Sequence, residues 1–308
     1  MRATVHPTGT VWSILWAFSR PHTVLGTVAS VVGLFGIAWV LNGEPAGAVR
    51  VLIGALAACL AANIYIVGLN QLVDVEIDRI NKPELPLASG ALSVRSGRAI
   101  VGIALVVALV VSLAGGRFLV VTVWASLFIG TVYSVPPIRL KRFHFWAAAC
   151  IFTVRGLIVN LFLYRHFDGA LGGSSWDGYP PAVGWLTGVV FLFGLVIAWY
   201  KDIPDMKGDR RFQIATLSLR LGPRRVFELG SAVLAAGYLG VAGAGLVGLE
   251  GASGPFLAGT HLLLLAVARA RARNVDPEEP AAMTRYYLLL WGLFYAEYLV
   301  FPLAVWLA

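Results

Sequence analysis

An all-α polytopic membrane protein, with about nine transmembrane helices forming one intramembrane domain over residues 1–308, is the fold class this sequence predicts. Three observations lead there. The chain is 58% hydrophobic and only 13% charged, with a mean hydropathy of +0.79, which is the composition of a membrane protein rather than of a water-soluble domain. Nine continuous apolar stretches reach or approach the roughly 20 residues a helix needs to cross a hydrocarbon core, and they are too long for barrel strands. The basic residues, finally, gather in alternate connecting segments.

The first apolar stretch lies near 23–41, behind Arg20-Pro21-His22, which interrupts an earlier run from Val11 to Phe18. The leading segment MRATVHPTGTVWSILWAF carries no charged leader followed by a small-residue cleavage site, so no signal peptide is expected. The second stretch, near 48–69, runs into NQLVDVEID. The third and fourth, near 99–114 and 118–135, are joined by little more than Gly115-Gly116-Arg117, which predicts a tight hairpin. The fifth, near 143–163, follows the loop YSVPPIRLKR and contains Arg155 and Asn160; the sixth, near 183–200, ends in YKDIPDMKGD. The seventh, eighth and ninth lie near 226–247, 255–270 and 286–307, with Glu297 inside the last. Cys59 and Cys150 both fall within apolar spans, so neither a disulfide framework nor a thiolate metal site is expected.

With the N-terminus in the cytoplasm, every one of the 24 Lys and Arg residues falls inside, Arg2 included, except Arg50, Arg117, Arg155 and Arg165. That asymmetry sets the orientation. The net charge of +8 follows from the same bias and from anionic lipid headgroups, and without a soluble basic module no nucleic-acid partner is expected. Nothing in the chain calls for an obligate protein partner.

Two acidic clusters stand at matching places, Asn70-x3-Asp74-x3-Asp78 after the second span and Asp202-x2-Asp205-x3-Asp209 after the sixth, and both are cytoplasmic in this orientation. On a helix, positions 70, 74 and 78 form one stripe roughly 12 Å long, whereas Glu76 points to nearly the opposite face. Asp202, Asp205 and Asp209 also share a face if their segment is helical, with Pro204 fitting best in a first turn or at a kink. Carboxylates with neither cysteine nor paired histidine nearby favour a hard cation, and Mg²⁺ commonly takes one or two of them together with phosphate oxygens of a substrate. Basic residues flank both clusters and the loop between them: Arg79 and Lys82; Arg139, Lys141 and Arg142; Lys201, Lys207, Arg210 and Arg211. A bare cation or proton site has no need of them, whereas a leaving diphosphate does.

Each feature has a plainer reading. Acidic residues at helix ends are often merely solvated, and basic loop residues are often topological anchors. Arg155, inside an apolar span, is costly unless it lines a cavity or finds a partner. Asn160 shares its segment, and Glu297 is either a structural partner for Arg155 or Asn160 or a substrate contact. Tyr133, Trp199, Tyr200 and Tyr295 lie where they would line a pocket for an allylic cation. A secondary transporter is the alternative of another class. It calls for ionisable groups near the bilayer midplane, and these clusters lie at one face.

The segments NQLVDVEIDRINKPELPLASG, YSVPPIRLKR and YKDIPDMKGDRRFQIATLSLRLG closely resemble the signature segments of the UbiA superfamily of intramembrane aromatic prenyltransferases, over residues 12–302. Within it the chain is most similar to the homogentisate prenyltransferase branch, through Gln71, Asn81-Lys82-Pro83, Lys201-Asp202, the segment from Thr153 to Asn160, and Trp291 to Tyr298. The resemblance implies nine helices around a central cavity with the aspartates at its cytoplasmic mouth. Asn70, Asp74 and Asp78 would hold one Mg²⁺, Asp205 and Asp209, joined by Asp202, a second; Lys82, Arg139, Lys141 and Lys201 would hold diphosphate. Gln71, where many relatives have a further aspartate, removes one candidate ligand.

The activity this implies is transfer of a prenyl group from an allylic prenyl diphosphate to a ring carbon of a hydroxylated aromatic acid, homogentisate or 4-hydroxybenzoate in type, whose carboxylate Arg155 would grip, in a cavity also lined by Tyr133, Asn160 and Glu297. A family member acting on homogentisate would lose the ring-side carboxyl group as well. A relative with a non-phenolic acceptor, such as a glycerophosphate, a chlorin or a haem, is the alternative within the family. Membrane lipid is the surrounding partner. The preference for Arg over Lys, 20 to four, suggests GC-rich coding and hence the inner membrane of a bacterium.

Overall fold

The computed structural model describes residues 10–173 and 178–308. Arg2 and the leading nine residues lie outside the described residues. Among the described residues nine long helices follow one another: α1 (Pro21–Leu41), α2 (Val49–Val73), α3 (Val94–Ala114), α4 (Arg117–Ser134), α5 (His144–Leu171), α6 (Pro181–Tyr200), α7 (Pro223–Val247), α8 (Gly254–Ala272) and α9 (Pro280–Trp306). Eight of them are long and apolar enough to cross a membrane. The ninth, α8, has 19 residues, but His261, Arg269 and Arg271 dilute its apolar run.

Each helix overlaps its expected stretch, and most begin a few residues earlier because the cap lies in the polar flank. Proline stands in the first turn of α1, α6, α7 and α9, where its missing N–H costs nothing and its fixed φ suits the helix. Ser93 caps α3, its hydroxyl accepting the Ser96 N–H at 3.0 Å. The expected α3–α4 hairpin turns on Gly115 and Gly116, the latter at φ +85°, a conformation that favours glycine. Helix α5 continues well past residue 163, and its stretch from Thr153 to Leu163 is wound as a π-helix. Such wide turns are frequent at functional sites.

Short helices at Val11–Phe18, Val75–Asn81, Pro86–Ser89, Asp202–Arg211 and Leu217–Leu221 connect and decorate one end of the bundle. Val11–Phe18 exposes Trp12 and Trp16 and buries Phe18, the pattern of a helix lying in an interface.

Helix α2 packs on α1, α3 and α4; α5 on α4 and α6; α6 on α7 and α9; α7 on α8; and α9 closes the ring against α1. The α1–α9 closure depends on small residues. A Cβ at Gly26 would meet the Trp291 ring at 2.8 Å. Large apolar side chains such as Ile103, Val110, Phe128 and Leu263 remain exposed on the outside of the bundle, where lipid is the natural solvent. The protein is an integral membrane protein.

Candidate functional site

A cavity of about 640 Å³ opens inside this ring. Residues of α1, α2, α4, α5, α6 and α9 line it, whereas α3, α7 and α8 contribute none of its lining and act as outer buttresses.

The two acidic segments meet at its mouth. Val75–Asn81 packs against Asp202–Arg211, and the Asn81 Oδ1 accepts the Gly208 N–H at 2.8 Å. A Cβ at Gly208 would collide with the Asn81 amide. Helix α2 does not run straight through the first segment. It ends at Val73, and Asp74, at φ −107° and ψ 15°, makes the joint to the next helix. The backbone bonds Asp74 N–H to Asn70 O, 3.1 Å, and Asp78 N–H to Asp74 O, 2.8 Å, carry the register across, so Asn70, Asp74 and Asp78 all reach the cavity. Glu76 faces away, exposed and paired with Arg79 at 2.6 Å. The second segment is one helix with Pro204 in its first turn, as its spacing predicts, and Asp202, Asp205 and Asp209 all line the cavity.

Cations thread between these carboxylates. Asp74 Oδ1 accepts from Arg139 Nη2 at 2.8 Å, and Asp74 Oδ2 accepts from Lys141 and from the Asn70 amide, the latter at 2.9 Å. Lys82 of the first segment pairs with Asp205 of the second, and Lys201 pairs with Asp202 at 2.6 Å. The basic loop is held in place by two backbone bonds to Ala215, from His144 N–H and to Arg142 O, at 3.0 and 3.1 Å. Arg139 sits in it at φ +42°, a strained conformation for a non-glycine residue of the kind that concentrates at functional sites. Burial pushes the Lys141 amine down to about 8 in spite of its contact with Asp74.

Asp78 and Asp209 differ from the rest. Both are buried, both line the cavity, and neither side chain has an ion-pair or hydrogen-bond partner among the described residues. Burial pushes their carboxyls up, to about 6 for Asp78 and about 7 for Asp209, the latter with help from neighbouring Asp202. Buried carboxylates without a directly paired cation fit a bound one, and the donor set is entirely oxygen, as Mg²⁺ prefers. Among the described residues no three carboxylate, imidazole or thiol groups converge into a complete metal cage. Ligand oxygens from elsewhere are therefore needed, which is how Mg²⁺ commonly binds with a phosphate.

Further inside, Arg155 lines the cavity from the π-helical turn of α5, its guanidinium 4.6 Å above the Trp291 ring. No carboxylate pairs with it among the described residues. Tyr133 also lines the cavity. Asn160 does not: it is fully buried, donating to Gly156 O at 2.9 Å and accepting from the Tyr298 hydroxyl at 2.7 Å, so that it positions a lining residue. Glu297 is likewise absent from the lining, which corrects the expectation for it. It is fully buried between α8 and α9 with its Oε2 3.0 Å from His261 Nε2, and its partner is therefore neither Arg155 nor Asn160.

Among the aromatics, Trp199, Tyr200 and Tyr295 are spent elsewhere in the packing, Tyr200 donating to Phe227 O at 2.5 Å. The aromatic wall is instead one stripe of α9: Tyr287, Trp291, Phe294 and Tyr298. Arg142, Lys207, Arg210 and Arg211 are exposed to solvent and stay outside the cavity. Gln71 points away from it as well, its amide donating to Phe18 O at 2.7 Å and so tying down Val11–Phe18. Sequence reasoning also missed Arg20, whose Nη2 donates to Asn70 Oδ1 at 3.4 Å; a basic residue before a proline-led helix was its only signal.

The sequence matches the UbiA prenyltransferase family over residues 11–307. It is 46% identical to a homogentisate phytyltransferase of Synechocystis sp. over 95% of each chain, and 38% identical to a chloroplast homogentisate solanesyltransferase of Arabidopsis thaliana over 93% of this chain and 75% of that one. The fold is similar to that of a UbiA homolog from Archaeoglobus fulgidus solved with GPP and Mg²⁺, with a TM-score of 0.64 and 19% identity over 94% of this chain and 99% of that one. A UbiA homolog from Aeropyrum pernix K1 superposes with a TM-score of 0.65 at 20% identity, covering 91% and 97% of the two chains. A bundle closed around one cavity, two acidic segments facing each other at its mouth and this likeness along nearly the whole chain have one conclusion: the protein belongs to the UbiA prenyltransferase family, as a membrane-bound prenyltransferase of its homogentisate-prenyltransferase-like branch.

Proposed function

We propose that this enzyme transfers the prenyl group of an allylic prenyl diphosphate to a ring carbon of homogentisate or a closely related phenolic acid, releasing diphosphate, and that two Mg²⁺ ions assist. One observation carries the reading: opposed acidic segments interleaved with lysines at the mouth of a largely apolar and aromatic cavity. Relatives named for homogentisate as acceptor, with phytyl, geranylgeranyl and solanesyl groups as donors, support it.

In this reading Asn70, Asp74 and Asp78 hold one ion and Asp205 and Asp209, joined by Asp202, the other. When bound, the ions neutralise charge on the diphosphate and favour its departure. Lys82, Lys141 and Lys201, with Arg139, supply the protein's own part. Each is paired with a carboxylate at the rim, which holds it at the mouth where phosphate oxygens would bind. Donors that already stand in place need little reorganisation as charge develops on the leaving group. The allylic cation is then sheltered from water inside the bundle, beside Tyr133 and the α9 stripe, whose ring faces attract positive charge. Arg155 grips the acceptor's carboxylate. The prenyl tail lies among the apolar residues of α2, α4 and α5 that line the cavity, including Ile66, Val123 and Ile151.

The distribution of basic residues supports a cytoplasmic mouth, and the cell membrane of a bacterium is the setting we propose. The test uses membranes containing the enzyme, Mg²⁺, geranyl, farnesyl, geranylgeranyl and phytyl diphosphates, and homogentisate, 4-hydroxybenzoate or a glycerophosphate. The expected result is a prenylated phenol whose mass identifies donor, acceptor and any loss of carbon dioxide, abolished by a chelator and restored by Mg²⁺. Product from glycerophosphate and none from the phenols overturns the acceptor assignment.

A further inference from the structure

The aromatic end of the cavity contains one proton-accepting group that the reading above leaves unused. His22 stands in the first turn of α1 and lines the cavity. Its ring meets Trp291 edge-on, with centroids 5.1 Å apart, and Tyr287 at 6.0 Å. The backbone there is held firmly, because the Tyr295 hydroxyl donates to His22 O at 2.6 Å. One turn further along α1, Gly26 presses against the same Trp291 ring. The imidazole is thus fixed in place, yet among the described residues neither of its nitrogens has a hydrogen-bond partner.

Trp291 brings two chemistries together. Arg155 lies over its ring and His22 against its edge, while its own indole N–H is buried without a partner among the described residues. A guanidinium and an imidazole around one indole suit a small aromatic molecule with a carboxylate at one end and an ionisable hydroxyl at the other. The rim carboxylates face the donor's head, and Tyr298 is bonded to Asn160.

We infer that His22 is the base that takes the hydroxyl proton of the aromatic acceptor; this deepens the function proposed above and rests on it. The hydroxyl proton moves to an imidazole nitrogen as the ring carbon's electron pair forms the bond to the allylic carbon. The allylic carbon–oxygen bond breaks, and its electron pair stays on diphosphate. The dienone so formed loses its ring proton and becomes aromatic again, its oxygen regaining a proton from the imidazolium. Overall one ring proton leaves with the diphosphate. A base that deprotonates the hydroxyl raises electron density on the ring when the allylic cation needs a nucleophile.

The experiment compares the parent enzyme with His22→Ala and His22→Gln on a series of phenolic acids of increasing hydroxyl acidity, at saturating donor and Mg²⁺. Removing a general base costs about 10²-fold or more in kcat. That loss is expected for the least acidic phenol, with donor KM unchanged, and it shrinks to under about tenfold for the most acidic phenol, which ionises without help. Added imidazole restores part of the turnover of His22→Ala. Mg²⁺-dependent binding of a non-reactive donor analogue shows whether the variants are folded, and His22→Gln, which keeps the polarity and much of the bulk, stands in if the alanine variant fails to bind it. A kcat near that of the parent, or a loss equal across the series, overturns the role of His22. A parent that prenylates none of the phenols overturns the functional reading itself, and the role of His22 with it.

Discussion

The two acidic segments are alike in the spacing of their acidic residues and quite different in structure. In the first, the chain breaks at Asp74, and that one carboxylate gathers Arg139, Lys141 and the Asn70 amide. In the second, an unbroken helix carries all three aspartates, and Asp202 and Asp205 each hold a single lysine. Each segment keeps one buried carboxylate without a partner among the described residues, Asp78 or Asp209. The first is thus anchored to the basic loop, while the second is held opposite it by the Asn81–Gly208 bond and the Lys82–Asp205 pair. Like patterns of charge reach a common site by unlike local structures, because the spacing fixes only which side chains share a face, whereas the neighbours decide how firmly each is held.

That asymmetry predicts unequal effects. Asp74→Ala should have the largest, since it removes a proposed cation ligand and frees Arg139 and Lys141 together; we expect a loss of turnover beyond about 10³-fold with the protein still inserted and folded. Asp205→Ala frees only Lys82 and should cost about 10²–10³-fold. Turnover assays on the two variants check both figures, and near-normal activity in either one excludes the metal role, whereas equal losses would show that the extra anchoring at Asp74 has no catalytic weight. Arg155→Leu should come next, with about a 30-fold loss on acidic phenols from the charged hydrogen bonds removed and little loss on neutral ones. Equal losses on both kinds of acceptor would end the carboxylate grip. Gly208→Ala tests the weaker anchor. Its methyl group pushes on the Asn81 amide and should lower turnover about tenfold through misplacement of the second segment; turnover at the parent's level would show that this anchor carries no catalytic weight.

Much of this architecture was legible in the sequence, for identifiable reasons. The nine helices were, because lipid requires long apolar runs; their early starts at Pro181, Pro223 and Pro280 reflect caps that hydropathy alone does not register. The face shared by Asn70, Asp74 and Asp78 was legible from spacing even though the helix breaks within it. Which basic residues count was not, for Lys207, Arg210 and Arg211 read like Lys82 and Lys201 until the fold turns them to solvent. His22 and Trp291 were hidden for another reason. They lie far apart in sequence and meet only because α9 closes the ring against α1 at Gly26, a tertiary contact that carries no local signature. Glu297 showed the same limit, since its partner His261 lies on a neighbouring helix.

Glu297 also provides the smallest and most discriminating test of the comparison, being a carboxylate inside the bundle that belongs to neither acidic segment. If the rim aspartates matter because they face the cavity, a carboxylate that does not line it should tolerate loss of charge. Glu297→Gln keeps a polar group beside His261 Nε2 at nearly constant volume, so turnover within about twofold of the parent is expected, a change no larger than that of most substitutions away from reacting groups. Glu297→Ala leaves the His261 ring without its partner in the closed interior, which costs about 1–3 kcal/mol and should appear as a lower unfolding temperature with the acceptor and donor KM values unmoved. A drop in kcat for Glu297→Gln comparable to that of Asp205→Ala would mean that the interior carboxylate takes part in the chemistry, and the separation drawn here between rim and interior charge would fail.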